Sequence, residues 1–171
     1  MPESELPTVA LRRLANGYQV TQAIHVAATL GIADLLRDGA RDSETLAAAT
    51  ATDAPSLHRV LRALASVGVL HEDDDGCFAL TAIGEGLRSD APEPVGGWAA
   101  FVGRPYHWQA WGALLHAVRT GENAFRSVHG TDAWDYRASH PEESAIFDAA
   151  MTAIMVRANG HLLAAYDFGR F

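Results

Sequence analysis

The 171-residue chain carries thirteen arginines and no lysine against 21 acidic residues, a net charge of −8. That balance opposes a phosphate backbone unless the arginines gather on one face, and the single cysteine, Cys77, excludes an intramolecular disulfide. No apolar run approaches the roughly 20 residues that cross a bilayer, and the acidic, polar start Met1–Leu6 is unlike a secretory leader, so the expectation is a cytoplasmic protein with no membrane partner.

From Pro7 to Leu36 the pattern is helical: Leu11, Leu14, Tyr18, Thr21, Ile24 and Ala28 recur at spacings of three and four, with an interruption at Gly31. Gly17 inside this stretch suggests close approach by another helix. Asp42 or Ser43 caps a short helix over Glu44–Ala49, and Asp53 caps a longer one with Pro55 in its first turn. The longer helix carries Leu57, Val60, Leu61, Leu64 and Val67 on one face and ends at Gly68. Val69-Leu70 and Cys77–Leu80 flank an acidic turn and read as a hairpin. Thr81 opens a further helix reaching about Ser89. Helix, turn, helix and hairpin make a winged helix.

Ala91-Pro92-Glu93-Pro94 is the expected boundary between two parts, 1–90 and 91–171. Beyond it the pattern predicts helices over Val95–Val102 and Tyr106–Thr120, a loop over Asn123–Gly130 and a short helix over Thr131–Ser139. A last long helix begins at Pro141, with Ile146, Phe147, Ala150, Met151, Ile154, Met155 and Leu162 as its apolar stripe. The fold class expected is mainly α with one short β-hairpin.

A winged helix suggests a DNA-binding regulator, whose recognition helix would offer His58, Arg59 and Arg62. The wing, however, reads His71-Glu72-Asp73-Asp74-Asp75-Gly76 and sets four carboxylates where phosphates would approach, so no nucleic-acid partner is expected. The same run lacks the alternating ligand spacing of a calcium loop and reads as a solvated turn. The histidines 107, 116, 129, 140 and 161 form no paired metal motif, so no metal is expected; His107 reads as a packed or surface residue. Gly84-Glu85-Gly86 imitates a dinucleotide fingerprint without its β-α-β setting. Cys77, in a strand with no base nearby, reads as structural. After residue 97 the chain is rich in aromatics: Trp98, Phe101, Tyr106, Trp108, Trp111, Phe125, Trp134, Tyr136 and Phe147, followed by Met151 and Met155. Such a set fills a helical core, and it also makes an apolar wall for a flat ligand.

The order of three stretches resembles a known family. "AATLGIADLL", "LAAAT" and "LHRVLRALASVGVLHEDDDGCFALTAIGEGLRSD" are similar to the N-terminal region of S-adenosylmethionine-dependent small-molecule O-methyltransferases, the plant phenolic and bacterial aromatic-polyketide type. "WGALLHAVRTGENAFRSVHGTDAWDY" and "PEESAIFDAAM" resemble the segments that follow in that family.

The resemblance implies a homodimer built on the N-terminal helices, with Leu14 and Ile24 among its contacts, and a helical region that walls the pocket of a small aromatic acceptor. It places Phe101, Phe147 and Met151 at acceptor-binding positions and Met155 towards the cofactor; Trp108, from the same aromatic run, is a further acceptor-binding candidate. It implies S-adenosylmethionine as cofactor, held by a Rossmann-like domain with a Gly-rich loop that would begin about where this chain stops. The general base would also lie there, so no catalytic residue is expected within the chain, and the chain alone is expected to be inactive. In the whole enzyme a base removes the acceptor's proton and the oxygen attacks the sulfonium methyl in line, while this portion supplies proximity. Two alternatives stay open beside it: the DNA-binding regulator, and a stand-alone or split-gene dimerisation subunit without catalysis. A member of such a fold can also run other chemistry in the same pocket.

Overall fold

The computed structural model describes residues 6–166, with side chains left aside over 156–164. Helices α1 (Pro7–Ala15), α2 (Gly17–Thr29) and α3 (Ile32–Leu35) lead into α4 (Ser43–Thr50) and α5 (Ala54–Ser66). Strands β1 (Leu70–Glu72) and β2 (Phe78–Leu80) follow, then a 3-10 turn at Gly84–Leu87. The second half holds α6 (Gly96–Val102), α7 (Pro105–Gly112), α8 (Leu114–Thr120), α9 (Ala124–His129), α10 (Ala133–Ser139) and α11 (Pro141–Ala165).

The winged module forms for local reasons. Asp42 and Asp53 cap α4 and α5, accepting from the Thr45 and Ser56 amides at 2.7 Å and 2.9 Å. Of the two expected capping residues, Asp42 takes the role. Helix α5 buries Leu57, Leu61 and Leu64 against Ile32, Leu46 and Phe78. Truncating one such leucine to alanine costs about 2–5 kcal/mol. The hairpin pairs Leu70 with Leu80 and Glu72 with Phe78. A lone bridge from Arg41 to Phe78 adds a short third rung. Gly76, with φ +78°, supplies the left-handed step of the turn.

Several boundaries differ from the expectation. The first helix breaks at Asn16 (φ −86°, ψ 1°). Gly17 follows that break, and within this chain no other helix closes on it, since a Cβ there would meet nothing within 4 Å. The helix expected from Thr81 is reduced to the 3-10 turn, because Gly84 lies against the wing: a Cβ on it would sit 2.3 Å from the Val69 carbonyl oxygen. That contact, and no cofactor, accounts for the glycine of the near-fingerprint. The helix expected over Tyr106–Thr120 divides at Ala113 into α7 and α8. The loop expected at Asn123–Gly130 is helix α9, capped by the Asn123 side chain on the Arg126 amide at 3.0 Å.

Helix α6 joins the two halves. It packs most extensively on α11 and next on α2, and glycines make both approaches possible. A Cβ on Gly97 would lie 3.2 Å from the Ala149 carbonyl oxygen, and one on Gly103 would lie 2.0 Å from Cγ of His25. On the far side of α6 a second core gathers Phe101, Tyr106 and Ala150, with Phe125, Tyr136, Ile146, Phe147 and Met151 packed against it. Leu162 and His161 lie outside the described side chains.

Candidate functional site

The aromatic run after residue 97 divides into a core and a cleft. The core side is a ring stack: Tyr106 lies on Tyr136 at 5.0 Å between centroids, and Tyr136 lies on His140 at 4.1 Å. Phe125 meets Tyr106 edge-on at 6.0 Å, and His129 hydrogen-bonds the Tyr106 carbonyl at 2.9 Å. Two aligned ion-pair contacts brace the base of α11, where the Arg104 guanidinium grips the Glu143 carboxylate through Nε, at 2.9 Å, and Nη2. That bidentate grip raises the arginine's pKa above its ordinary value.

In front of this stack lies a cleft of about 410 Å³, in the range of small-molecule sites. Phe101 and Phe147 form its back wall, their rings edge to face at 5.3 Å. His107 packs on Phe101 at 4.5 Å, and Trp111, Asn123, Phe125, Ala133 and Arg137 are also in the lining. Met151 is half-buried in the same cluster behind the wall. Three of the residues expected at an acceptor site, Phe101, Phe147 and Met151, thus come together. Trp108 does not join them. It lines a separate concavity of about 660 Å³ with Tyr18, Trp98 and Trp111, on the side of α2. Met155 sits a turn beyond Met151 and is 47% exposed.

Polar residues of the cleft that were not expected as site residues include Asn123, which caps α9, and the pair His107 and Arg137. His107 accepts a hydrogen bond at Nε2 from the Trp111 indole at 3.0 Å, which leaves its proton on Nδ1. Burial, and secondarily the nearby Arg137 cation, hold its pKa below 6.5 and keep the ring neutral. Arg137 is buried, at 7% exposure, with its guanidinium carbon 3.9 Å from the Phe147 centroid and 4.6 Å from the Trp134 centroid. Its sequence signal was faint: Arg137 stands four residues after Ala133, on the stripe of α10 that turns to the cleft.

The would-be recognition helix is turned to other uses. His58 packs edge-on against Phe78 at 5.6 Å, Arg62 is ion-paired to Glu72 of the wing at 3.2 Å, and Arg59 bonds Ser56. The wing carboxylate Asp73 accepts the amides of Asp75 and Cys77 at 3.1 Å and 2.8 Å, so it closes its own turn. Burial, then Asp73, Asp42 and Asp75, push the Cys77 thiol up, opposite to what a nucleophile needs. Among the described residues no group of three or more histidine, cysteine or acidic side chains could hold a metal. No described helix is long and apolar enough to cross a membrane.

Residues 12–89 match the O-methyltransferase dimerisation domain. This segment is an O-methyltransferase dimerisation domain. The chain is 41% identical over 161 residues to phenazine O-methyltransferase PhzM of Lysobacter antibioticus, covering 94% of this chain and 47% of that protein. The crystal structure of LaPhzM superposes with a TM-score of 0.89 at 40% identity, over 96% of this chain and 49% of that one. The O-methyltransferase NcsB1 from neocarzinostatin biosynthesis, in complex with S-adenosyl-L-homocysteine and 1,4-dihydroxy-2-naphthoic acid, superposes with a TM-score of 0.73 at 35% identity, over 87% of this chain and 46% of that one. The chain spans about half the length of the curated relatives it matches. The names of these relatives give no support to the DNA-binding alternative.

The described residues do not form a cradle for S-adenosylmethionine. Their one sheet is the two-stranded wing, and Gly84 and Gly96 are spent on contacts with the Val69 and Leu87 backbones.

Proposed function

We propose that this chain is the dimerisation and acceptor-binding half of a homodimeric O-methyltransferase that acts on a hydroxylated aromatic or polyketide small molecule. The observation that carries the reading is the Phe101–Phe147 wall, backed by Met151, facing an open cleft in a chain whose first half is an O-methyltransferase dimerisation domain. The size and aromatic lining of the cleft suit a fused-ring phenol, the kind of molecule bound in the NcsB1 complex.

Helix α1 supports the dimer. It buries none of its own residues, and it leaves Leu11 and Leu14 at 68% and 71% exposure, with Tyr18 of α2 at 53%. An apolar stripe of that kind on a helix is an interface in search of its other half. S-adenosylmethionine is the proposed cofactor, held by a separate domain of the whole protein with the catalytic base. The contribution of these residues is to stack the acceptor ring, fix its orientation and exclude water from its face, which raises the effective concentration of the reacting oxygen. Met155 would lie towards the cofactor, and Trp108 would act from the neighbouring concavity.

The test is Met151→Trp in the native-length protein. The indole should push the Phe101–Phe147 wall into the cleft and abolish acceptor binding while the dimer survives. Unchanged acceptor affinity, measured by calorimetry with 2-naphthol, would remove the cleft from the acceptor site.

A further inference from the structure

Arg137 is a buried cation without a counter-ion. Its guanidinium lies between the faces of Phe147 and Trp134, and among the described residues no carboxylate pairs with it. The two carboxylates that act on this region are engaged elsewhere. Asp132 caps α10 through the amides of Trp134 and Asp135 and faces Arg126 at 3.8 Å. Glu143 is held by Arg104. The buried Tyr106 hydroxyl adjoins the Arg137 guanidinium behind the cleft and offers it no negative charge. His107 lines the same cleft with its Nδ1 proton unengaged among the described residues. A guanidinium taken out of water needs an anion, and aromatic faces return only part of that cost. Arg137, without an ion pair among the described residues, and His107, with its Nδ1 proton free, line one apolar cleft and together describe the receptor of an oxyanion.

We propose that Arg137 anchors a carboxylate on the acceptor, so that the cleft selects flat aromatic acids over their neutral counterparts. The ring system stacks on Phe101 and Phe147, and the carboxylate takes the fork of Arg137. The anchored end fixes which edge of the ring is presented for reaction, so Arg137 is a specificity-determining and positioning residue. This inference rests on the cleft being the acceptor site.

The experiment is calorimetry on the native-length protein with 2-naphthoate and with 2-naphthamide, which has the same shape and no charge. Wild type should bind the acid about 10- to 100-fold more tightly than the amide, the span of a hydrogen bond to a charged group. Arg137→Met should erase that preference and leave amide affinity within about twofold, and Arg137→Lys should restore part of it, since lysine keeps the charge but not the fork. If wild type binds both equally, the carboxylate anchor is wrong and the acceptor cleft stands. If Arg137→Met weakens both ligands alike, Arg137 is a packing residue and the anchor is again wrong. If neither ligand binds wild type, the acceptor reading falls and the anchor with it. Should Arg137→Met fail to fold, the wild-type preference and the Arg137→Lys variant still decide.

Discussion

Gly103→Ala should separate the two halves of the molecule. Gly103 is buried at the end of α6 and its φ of −86° is ordinary for any residue, so backbone strain plays no part. A Cβ there would meet His25 at 2.0 Å from Cγ and 2.4 Å from Cβ, where ordinary contact begins near 3.4 Å. The His25 ring can turn about its Cα–Cβ bond, but its Cβ is fixed to the α2 backbone and cannot rotate away, so α2 or α6 must move by about an ångström. Overpacking of this kind costs about 1–3 kcal/mol. The upper end applies here, offset by up to about 1 kcal/mol from the stiffer unfolded chain. The net is about 2 kcal/mol of destabilisation, a fall of about 4–8 °C in Tm for a chain of this size. Urea unfolding read by tryptophan fluorescence measures it, with both proteins at one concentration because dimerisation shifts apparent stability. His25→Ala should not rescue the variant, because alanine keeps the offending Cβ. Gly112→Ala is the control: a Cβ there meets nothing within 4 Å, and the change should be neutral or stabilising by up to about 1 kcal/mol. If Gly103→Ala is as stable as wild type within about 0.5 kcal/mol, the threshold of an unremarkable surface change, then α6 does not clamp the two halves as described.

Other outcomes follow from the same geometry. Leu14→Glu should shift the elution volume of the dimer towards the monomer at micromolar concentration while far-ultraviolet circular dichroism stays unchanged; an unaltered volume would count against α1 as the interface. Ile24 is a poorer probe, being half-buried against the wing core and the α6 junction, so a charge there should lower folding stability as well. Glu143→Gln should weaken the base of α11 by about 1–3 kcal/mol, the worth of a charged hydrogen bond, detectable as a lower urea midpoint. On acidification, Asp42 and Asp132, whose pKa values the capped amides hold below 3.8, give stability that is full above that value. It is lost as the pH falls through their lower folded values, so Asp132→Asn should flatten the acid limb of a melting-temperature profile. Binding of the neutral ligand 2-naphthol should also weaken as the pH falls through the folded pKa of His107, which burial holds below the ordinary histidine value, because the protonated ring loses the Trp111 bond; a His107→Gln variant with the same pH profile would refute that.

The winged module was legible because each part carries its own signal. Asp42 and Asp53 mark two helix starts, the leucines at 57, 61 and 64 repeat at helical spacing, and the acidic turn stands between two apolar pairs. The failures share a cause. The break at Asn16, the split at Ala113 and the short α9 cost little local energy and are decided by what packs from elsewhere, so periodicity reads across them. The Asn123 side chain caps α9, a residue type suited to a helix start, in a stretch that reads as a loop from its periodicity. Thr81 looks like a helix start but donates its hydroxyl to the Gly68 and Val69 carbonyls at 2.7 Å and 2.9 Å, which ties the turn to the wing. In the candidate site, Phe101, Phe147 and Met151 were reached through a family likeness and the methionine–aromatic stripe. Arg137 was not, because a charge on a short helix reads as a solvated face until α11 is seen to cover it.

The most direct test of the account is a crystal structure of the native-length protein with S-adenosylhomocysteine and 2-naphthol. The account predicts the naphthol ring in the cleft, stacked against Phe101 and Phe147 with Met151 behind them. A ring bound away from all three residues would contradict it.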